Sequence, residues 1–239
     1  MKKLSVIGLQ LAVLLLVICG QAWGDTKKIT GTTNIEDAMI MSANAEKNYG
    51  GYDYLYSGVA YATLIRVKNV ATELGANATI SACVCSVYCN AHTSIQDVSA
   101  YRVFKPWVEG DESGVDDDDG DVTWSDWASD AYEWTTAGCN SADDEGVDNS
   151  GDGTGADRKA TTEDTESNVG SGNWYGFDIS ASLAQGWYDG TINEEGIILY
   201  SGADYQRYSS TEYTSNQPFW VFTYTTGAPP EAGQVIIVH

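Results

Sequence analysis

Eight short stretches of the chain alternate apolar and polar residues and are rich in aromatic and β-branched types. They cover residues 34–41, 54–59, 61–67, 79–88, 98–104, 174–178, 196–200 and 219–225. A period of two is the signature of a strand with one face turned to a core. The stretches are separated by Gly-, Asn- and Asp-rich turns, and helical periodicity is almost absent. One exception lies in 178–187, where Ile179, Leu183 and Trp187 recur every four residues after an Asp or Ser cap, predicting one short amphipathic helix. Many strands, one helix and no strand–helix–strand alternation predict an all-β fold, a jelly-roll β-sandwich of antiparallel strands with long acidic loops.

The first residues read as an address rather than as part of that fold. Lys2 and Lys3 precede an apolar run from Leu4 to Cys19, and Ala22-Trp23-Gly24 ends it. This is the pattern of a secretory signal over 1–24, with small residues at −3 and −1. The sandwich is expected over 25–226, followed by a Pro/Gly hinge and a β-branched tail over 227–239. Secretion, to the extracellular space or the cell surface, is the expected localisation. No later stretch is apolar for long enough to predict membrane insertion.

Charge narrows the partners. The 239 residues carry 34 Asp+Glu against 12 Lys+Arg, a net of −22, and removal of 1–24 deepens this to −24. Such a charge repels phosphate backbones, which excludes nucleic-acid binding. It also disfavours acidic polysaccharides and leaves neutral extracellular glycan as the expected ligand class.

The acids are not evenly spread: 20 of the 34 fall between residues 109 and 166. Two Asp/Gly loops lie there, 116–121 and 148–153. Alternate oxygen-bearing side chains followed by Gly can wrap a hard cation, because every second side chain points inward and Gly permits the turn. Two readings stand, a solvated acidic stretch or calcium as cofactor at one of the loops, through Asp117, Asp119 and Asp121 in the first or Asp148, Ser150 and Asp152 in the second. Lys159 stands where an EF-hand needs its bidentate acid, so that motif is excluded.

Four cysteines follow the signal: Cys83, Cys85, Cys89 and Cys139. An even number in an oxidising compartment predicts disulfides. Cys83, Cys85 and Cys89 share one face of a strand, and neighbours two apart lie about 6.5–7 Å from each other, a poor disulfide distance. Each needs a partner elsewhere; Cys139 can satisfy only one, so either the strand bends near Cys89 and lets two pair, or one thiol reaches another molecule. A zinc site from the same three thiols and His92 is the weaker alternative, since the spacing lacks paired knuckles.

The ordered motifs carry a resemblance. Thr33-Asn34-Ile35-Glu36-Asp37-Ala38 and Asn48-Tyr49-Gly50 open it. Tyr101-Arg102-Val103, Pro106-Trp107-Val108-Glu109-Gly110, Val122-Thr123-Trp124 and Trp134-Thr135-Thr136 continue it. Trp174-Tyr175-Gly176-Phe177-Asp178-Ile179, Gln185-Gly186-Trp187 and Ser209-Ser210-Thr211-Glu212-Tyr213 close it. In this order they resemble the DNRLRE, or disaggregatase-related, modules over most of residues 29–226. The resemblance implies an extracellular jelly roll grouped in part with carbohydrate-binding modules, and it assigns Trp107, Trp174 and Trp187 to the core. One departure is Gln217, which stands before Pro218 where the family has a basic residue.

Exposed aromatic rings give flat apolar platforms for the C–H face of a sugar. Tyr52, Tyr54 and Tyr56 share strand parity, and Trp127 and Trp134 lie among acidic loop residues. Tyr52, Tyr54, Trp127 and Trp134 are therefore the expected carbohydrate-binding residues. No nucleophile elbow, phosphate loop or Ser-His-Asp context is present, so no catalytic residue is expected and the chain reads as a non-enzyme. Its tail, Gln234-Val235-Ile236-Ile237-Val238-His239, offers the rival function. Added to the sheet edge of a second copy, it would build a surface filament or matrix, with an intermolecular disulfide as covalent support.

Overall fold

Burial on alternate residues sets the strands, and burial on both sides sets their order. A computed structural model describes residues 24–116, 120–128, 132–144, 155–202 and 205–227. The first half runs β1 (Asp25–Thr30), β2 (Ile35–Met41), β3 (Lys47–Asn48), β4 (Tyr54–Ser57), β5 (Tyr61–Val67), helix α1 (Val70–Leu74), β6 (Ala78–His92) and β7 (Gln96–Arg102). Three two-residue strands follow, β8 (Val115–Asp116), β9 (Ala142–Asp143) and β10 (Arg158–Lys159). The second half is β11 (Asp164–Val169), β12 (Asn173–Ile179), α2 (Ala181–Asp189), β13 (Ile197–Ser201), β14 (Gln206–Ser209) and β15 (Phe219–Thr226).

Two antiparallel sheets form the sandwich. One has the order β1-β15-β6-β14-β4, with β12 on the opposite side of β6; the other is β11-β7-β13-β5-β2. Between β4 and β7 and again between β11 and β14 the chain changes sheet at each step, as the jelly-roll expectation requires. All eight predicted strands are present. The predicted helix is α2, with Ser180 in the N-cap position but making no side-chain cap bond, although Ile179 belongs to β12. No helix among the described residues is long and apolar enough to cross a membrane.

Strand β6 shows how one extra residue resets a face. Ala78 and Ile80 point inward, and so do Cys83, Cys85, Val87 and Cys89, a switch of parity. The register slips between Thr223 and Tyr224 of β15, leaving Ser81 as the bulged residue, with its hydroxyl donating to the Thr223 carbonyl at 3.1 Å. Inward of this lies the main core, with Phe177, Tyr208, Trp220 and Phe222 of one sheet against Ile65, Val98, Ile197 and Leu199 of the other. Helix α2 adds Leu183 and Trp187, the latter edge-on to Trp220 at 5.7 Å.

The five-stranded sheet is buried on its other face as well. Ala38, Ile40, Ala62, Leu64 and Ile198 point away from the main core into a second cluster, which Trp107, Val122, Trp127, Trp134 and Cys139 complete. The acid-rich segment after β7 is thus a third layer whose apolar residues close over the sheet. Asp157 shapes that layer: its carboxylate, fully buried, accepts the backbone N–H groups of Thr135, Thr136 and Ser141 at 2.8–3.0 Å. A carboxylate accepting three backbone donors stays satisfied without water.

Candidate functional site

A cleft of about 510 Å³ opens where β2, β4 and β5 meet the loop before β8. Tyr49, Tyr52, Tyr56, Tyr61 and Tyr205 supply its rings, Met39 and Met41 its floor, and Ser113-Gly114 a backbone wall. Strand parity explains the convergence. In β4, Leu55 and Ser57 point into the sandwich, so Tyr54 and Tyr56 take the opposite face. Tyr56 meets Tyr61 of the next strand at 5.5 Å and Tyr205 at 5.2 Å, and Tyr49 meets Tyr52 edge-on at 6.0 Å. Tyr54 extends the row, edge-on to Tyr52 at 6.0 Å and tilted against Tyr213 at 5.1 Å, with the Arg207 guanidinium 4.3 Å above it.

The rings are held by contacts with one another, which leaves polar edges free. Tyr49 accepts a hydrogen bond from Asn44 at 2.8 Å, whereas the hydroxyls of Tyr52, Tyr56, Tyr61 and Tyr205 have no protein partner among the described residues. Burial is the chief reason that the Tyr52 hydroxyl is pushed above the usual phenol range. A phenol hydroxyl can donate or accept a hydrogen bond. Rigid rings with free hydroxyls and a methionine floor offer stacking and hydrogen bonding to a polar, non-ionic ligand.

One buried asparagine builds the wall. Asn48 donates to the carbonyls of Glu109 at 2.7 Å and Val122 at 2.9 Å, and its Oδ1 accepts from Gly50 N–H at 3.0 Å. The paired strands β3 and β8 and the Gly114 N–H on the Asn48 carbonyl, at 2.8 Å, then fix the 113–114 turn. Gly114 has φ +81°, and a Cβ there would lie 2.8 Å from the Tyr49 ring, so the close approach of turn and ring requires glycine.

Beside the floor lies an acidic cluster that sequence reading did not find. Asp37 shares the inward face of β2 with Met39 and is fully buried. Its Oδ2 accepts from Thr211 N–H at 2.9 Å, and its Oδ1 has no partner; its own N–H donates to Glu109 Oε1 at 2.6 Å. Burial first, then the charges of Glu212 and Glu109, hold the Asp37 carboxyl well above the carboxylate range. Glu109 is pushed up to about 8, again mainly by burial. The available signal was a pair of acids, Glu36 and Asp37, of which Asp37 shares parity with Ile35 and Met39 on the apolar face of the strand.

The other expected site residues fall differently. Tyr52 lines the cleft and Tyr54 flanks it. Trp127 and Trp134 are each only 4% exposed and sit in the second core cluster, so they offer no free platform. Trp134 donates its indole N–H to the Thr123 carbonyl at 3.0 Å, and Trp127 packs on Tyr132 at 4.8 Å. The tryptophans of that segment fill the sheet face, and several of its acids, Asp121, Asp126 and Asp157, are buried with them. Trp107 and Trp187 are core residues, but Trp174 is 42% exposed, on the outer face of β12 between Tyr88 and Phe219.

The expected disulfides are absent. Cys83, Cys85, Cys89 and Cys139 are free, buried thiols, the first three on the shared face of β6 and Cys139 in the second cluster. Burial raises all four, Cys89 to about 11, so they behave as small apolar residues. A thiol reagent applied to native protein is expected to leave these four unmodified and to label all of them after denaturation without reductant. Nor do three of them join His92 around zinc: the His92 Nδ1 accepts from Ser171 N–H at 2.9 Å. Among the described residues no group of three or more His, Cys, Asp or Glu is placed to hold a metal. Of the calcium residues, Asp121 is buried, whereas Asp117, Asp119, Asp148, Ser150 and Asp152 lie outside the described residues, as do most of 1–24 and the tail strand.

A larger cleft, about 660 Å³, lies beside α1 and α2, but its charges are spent internally. Arg66 pairs with Glu36 and Glu195, Lys68 pairs with Glu36, and Glu194 accepts the N–H groups of Asn69 and Val70. The tyrosine cleft is therefore the candidate site. No protein-family model matches the chain, and no curated protein matches it.

Proposed function

We propose that the chain is a secreted, non-catalytic module that binds neutral extracellular glycan in the tyrosine cleft. The observation that carries this reading is the convergence of four tyrosines of the 49–61 segment and Tyr205 from far along the chain on one opening of about 510 Å³, four of the five with uncommitted hydroxyls. Such rings pack on sugar C–H faces while the hydroxyls bond to sugar hydroxyls, and neither contact requires a charge. The DNRLRE resemblance and the predicted signal support the same reading. A glycan array probed with labelled protein tests it. Binding to neutral oligosaccharides that disappears in Tyr56→Ala supports the proposal, and silence across the array overturns it.

Calcium belongs to this proposal as a stabiliser held by the two Asp/Gly loops. Adding a calcium chelator is then expected to lower the melting temperature, and restoring calcium to reverse the change. A melting temperature indifferent to both removes calcium from the account.

A further inference from the structure

The row of rings does not stop at the mouth of the tyrosine cleft. Tyr49, Tyr52, Tyr54 and Tyr213 follow one another at centroid separations of 6.0, 6.0 and 5.1 Å, and only the first two line the cleft. Tyr54 and Tyr213 form a shelf outside it, and the whole row is longer than one sugar ring. Parity joins shelf to cleft: Tyr54 and Tyr56 share the outer face of β4, and Tyr56 lines the cleft. Tyr213 belongs to the loop between β14 and β15, which is tied down. Ser210 N–H donates to the Asp53 carbonyl at 3.1 Å, and Gln217 Nε2 donates to the Tyr213 carbonyl at 2.9 Å.

Arg207 stands over this shelf. It lies opposite Tyr56 in the β4–β14 register, between the buried Gln206 and Tyr208, and its side chain takes the outer face, with the guanidinium 4.3 Å from the Tyr54 ring centre. Its Nε donates to Asn90 Oδ1 at 2.7 Å, and Asn90 Nδ2 in turn donates to Ser209 Oγ at 3.3 Å. Among the described residues the two terminal nitrogens have no hydrogen-bond partner, and no carboxylate forms an ion pair with the group. Stacking and the Nε bond fix the plane of the guanidinium and leave its terminal donors uncommitted. Asp53 and Glu212 adjoin Tyr54 and Tyr213 in the chain, so the shelf has no excess of positive charge to draw an anion.

We propose that the ligand of this surface is a linear neutral glycan chain of several sugars, not a mono- or disaccharide. The cleft takes one stretch of the chain, the next sugars stack on Tyr54 and Tyr213, and Arg207 donates to their hydroxyl and ring oxygens. Rings set in a row give stacking at successive sugars, and an oriented guanidinium adds charge-assisted bonds without needing an anionic partner. The inference rests on the glycan reading of the cleft and adds to it the class of ligand and a residue that reads it, Arg207.

Isothermal titration calorimetry of the intact protein with linear gluco- and manno-oligosaccharides, from disaccharide to hexasaccharide, tests the proposal. For the series that binds, affinity is expected to rise about tenfold or more from the shortest bound member to the hexasaccharide, the gain of a charge-assisted bond and further stacking. Tyr213→Ala and Arg207→Met are each expected to remove that gain and to leave the affinity of the shortest bound member unchanged. Tyr213 is a loop residue, so its variant keeps the test decisive even if Arg207→Met does not fold. Tyr56→Ala is expected to lose binding at every length. A disaccharide bound as tightly as the hexasaccharide overturns the chain proposal and leaves the cleft reading standing. So does a length gain that survives in folded Tyr213→Ala or folded Arg207→Met. No binding of any oligosaccharide by the unaltered protein overturns both.

Discussion

Replacing Asn48 with alanine is expected to cost about 4 kcal/mol of stability and to weaken glycan binding along with it. The side chain is wholly buried and satisfies the Glu109 and Val122 carbonyls and the Gly50 N–H. Truncation leaves these groups in an interior that water does not reach, and each orphaned buried group costs about 1–3 kcal/mol. The same bonds hold the chain that carries Ser113 and Gly114, so the wall of the tyrosine cleft loosens with them. Asn48→Asp keeps the acceptor for Gly50 N–H but loses both donated bonds and is expected to be destabilised too. Urea unfolding of both variants measures this. A change below about 1 kcal/mol in Asn48→Ala would mean that the 109–122 segment is anchored elsewhere.

Raising the pH from about 5.5 to 9 is expected to destabilise the protein by roughly 2–4 kcal/mol, from the Asp37–Glu109 cluster. Both carboxyls titrate higher in the folded chain than in the unfolded one, Glu109 at about 8 against 4.5. The folded state therefore holds more protons across this window. Its added stability is fully present below the unfolded values and is lost as pH rises through the folded ones. Glu36 works in the opposite sense: burial pushes it up, but Arg66 and Lys68 together outweigh this and hold it below its usual range, so its contribution is lost in acid. An optimum between the two limbs follows. Asp37→Asn keeps an acceptor for Thr211 N–H without the charge and is expected to flatten the alkaline limb while changing stability near pH 5.5 by less than about 1 kcal/mol. Melting temperatures of both proteins across pH 5–9 test this, and an alkaline limb unchanged by the substitution would assign it to other groups.

The fold was legible because the core strands alternate, β6 with one bulge, or, in β2, β5 and β13, have near-continuous apolar character from burial on both faces. The elements that escaped prediction are those whose pattern carries no core face. Strand β1 (DTKKIT) and strand β11 (DTESNV) are mostly polar edge strands, and β14 (QRYS) is four residues long. The helix α1 is five residues long, too short for a repeat to show.

The site was legible only where parity reached it. Tyr52 and Tyr54 were expected from their spacing, but Tyr205 arrives from just before β14, a strand that itself escaped prediction, and Ser113-Gly114 from a loop without periodicity. Trp127 and Trp134 were expected at the surface because acids surround them in sequence. A loop layer obeys no fixed period, so the indoles pack onto the sheet whatever their sequence neighbours do: Glu133 beside Trp134 is exposed, while Asp126 beside Trp127 is buried. Trp174 erred the other way: Phe177 and Ile179 of the same strand point inward, which turns Trp174, Gly176 and Asp178 outward. Parity within β12 would have placed it there. The shared face of Cys83, Cys85 and Cys89 was read correctly, and apolar burial without pairing is what that face imposes.

The central claim is that neutral glycan is held by the tyrosine cleft. Affinity electrophoresis of the unaltered protein, Tyr56→Ala and Trp174→Ala, in gels containing the neutral polysaccharide selected on the array, tests it most directly. The account predicts retarded migration of the unaltered protein and of Trp174→Ala, and free migration of a folded Tyr56→Ala. Retardation that survives in Tyr56→Ala but is lost in Trp174→Ala would contradict it and move the binding surface to the outer face of β12.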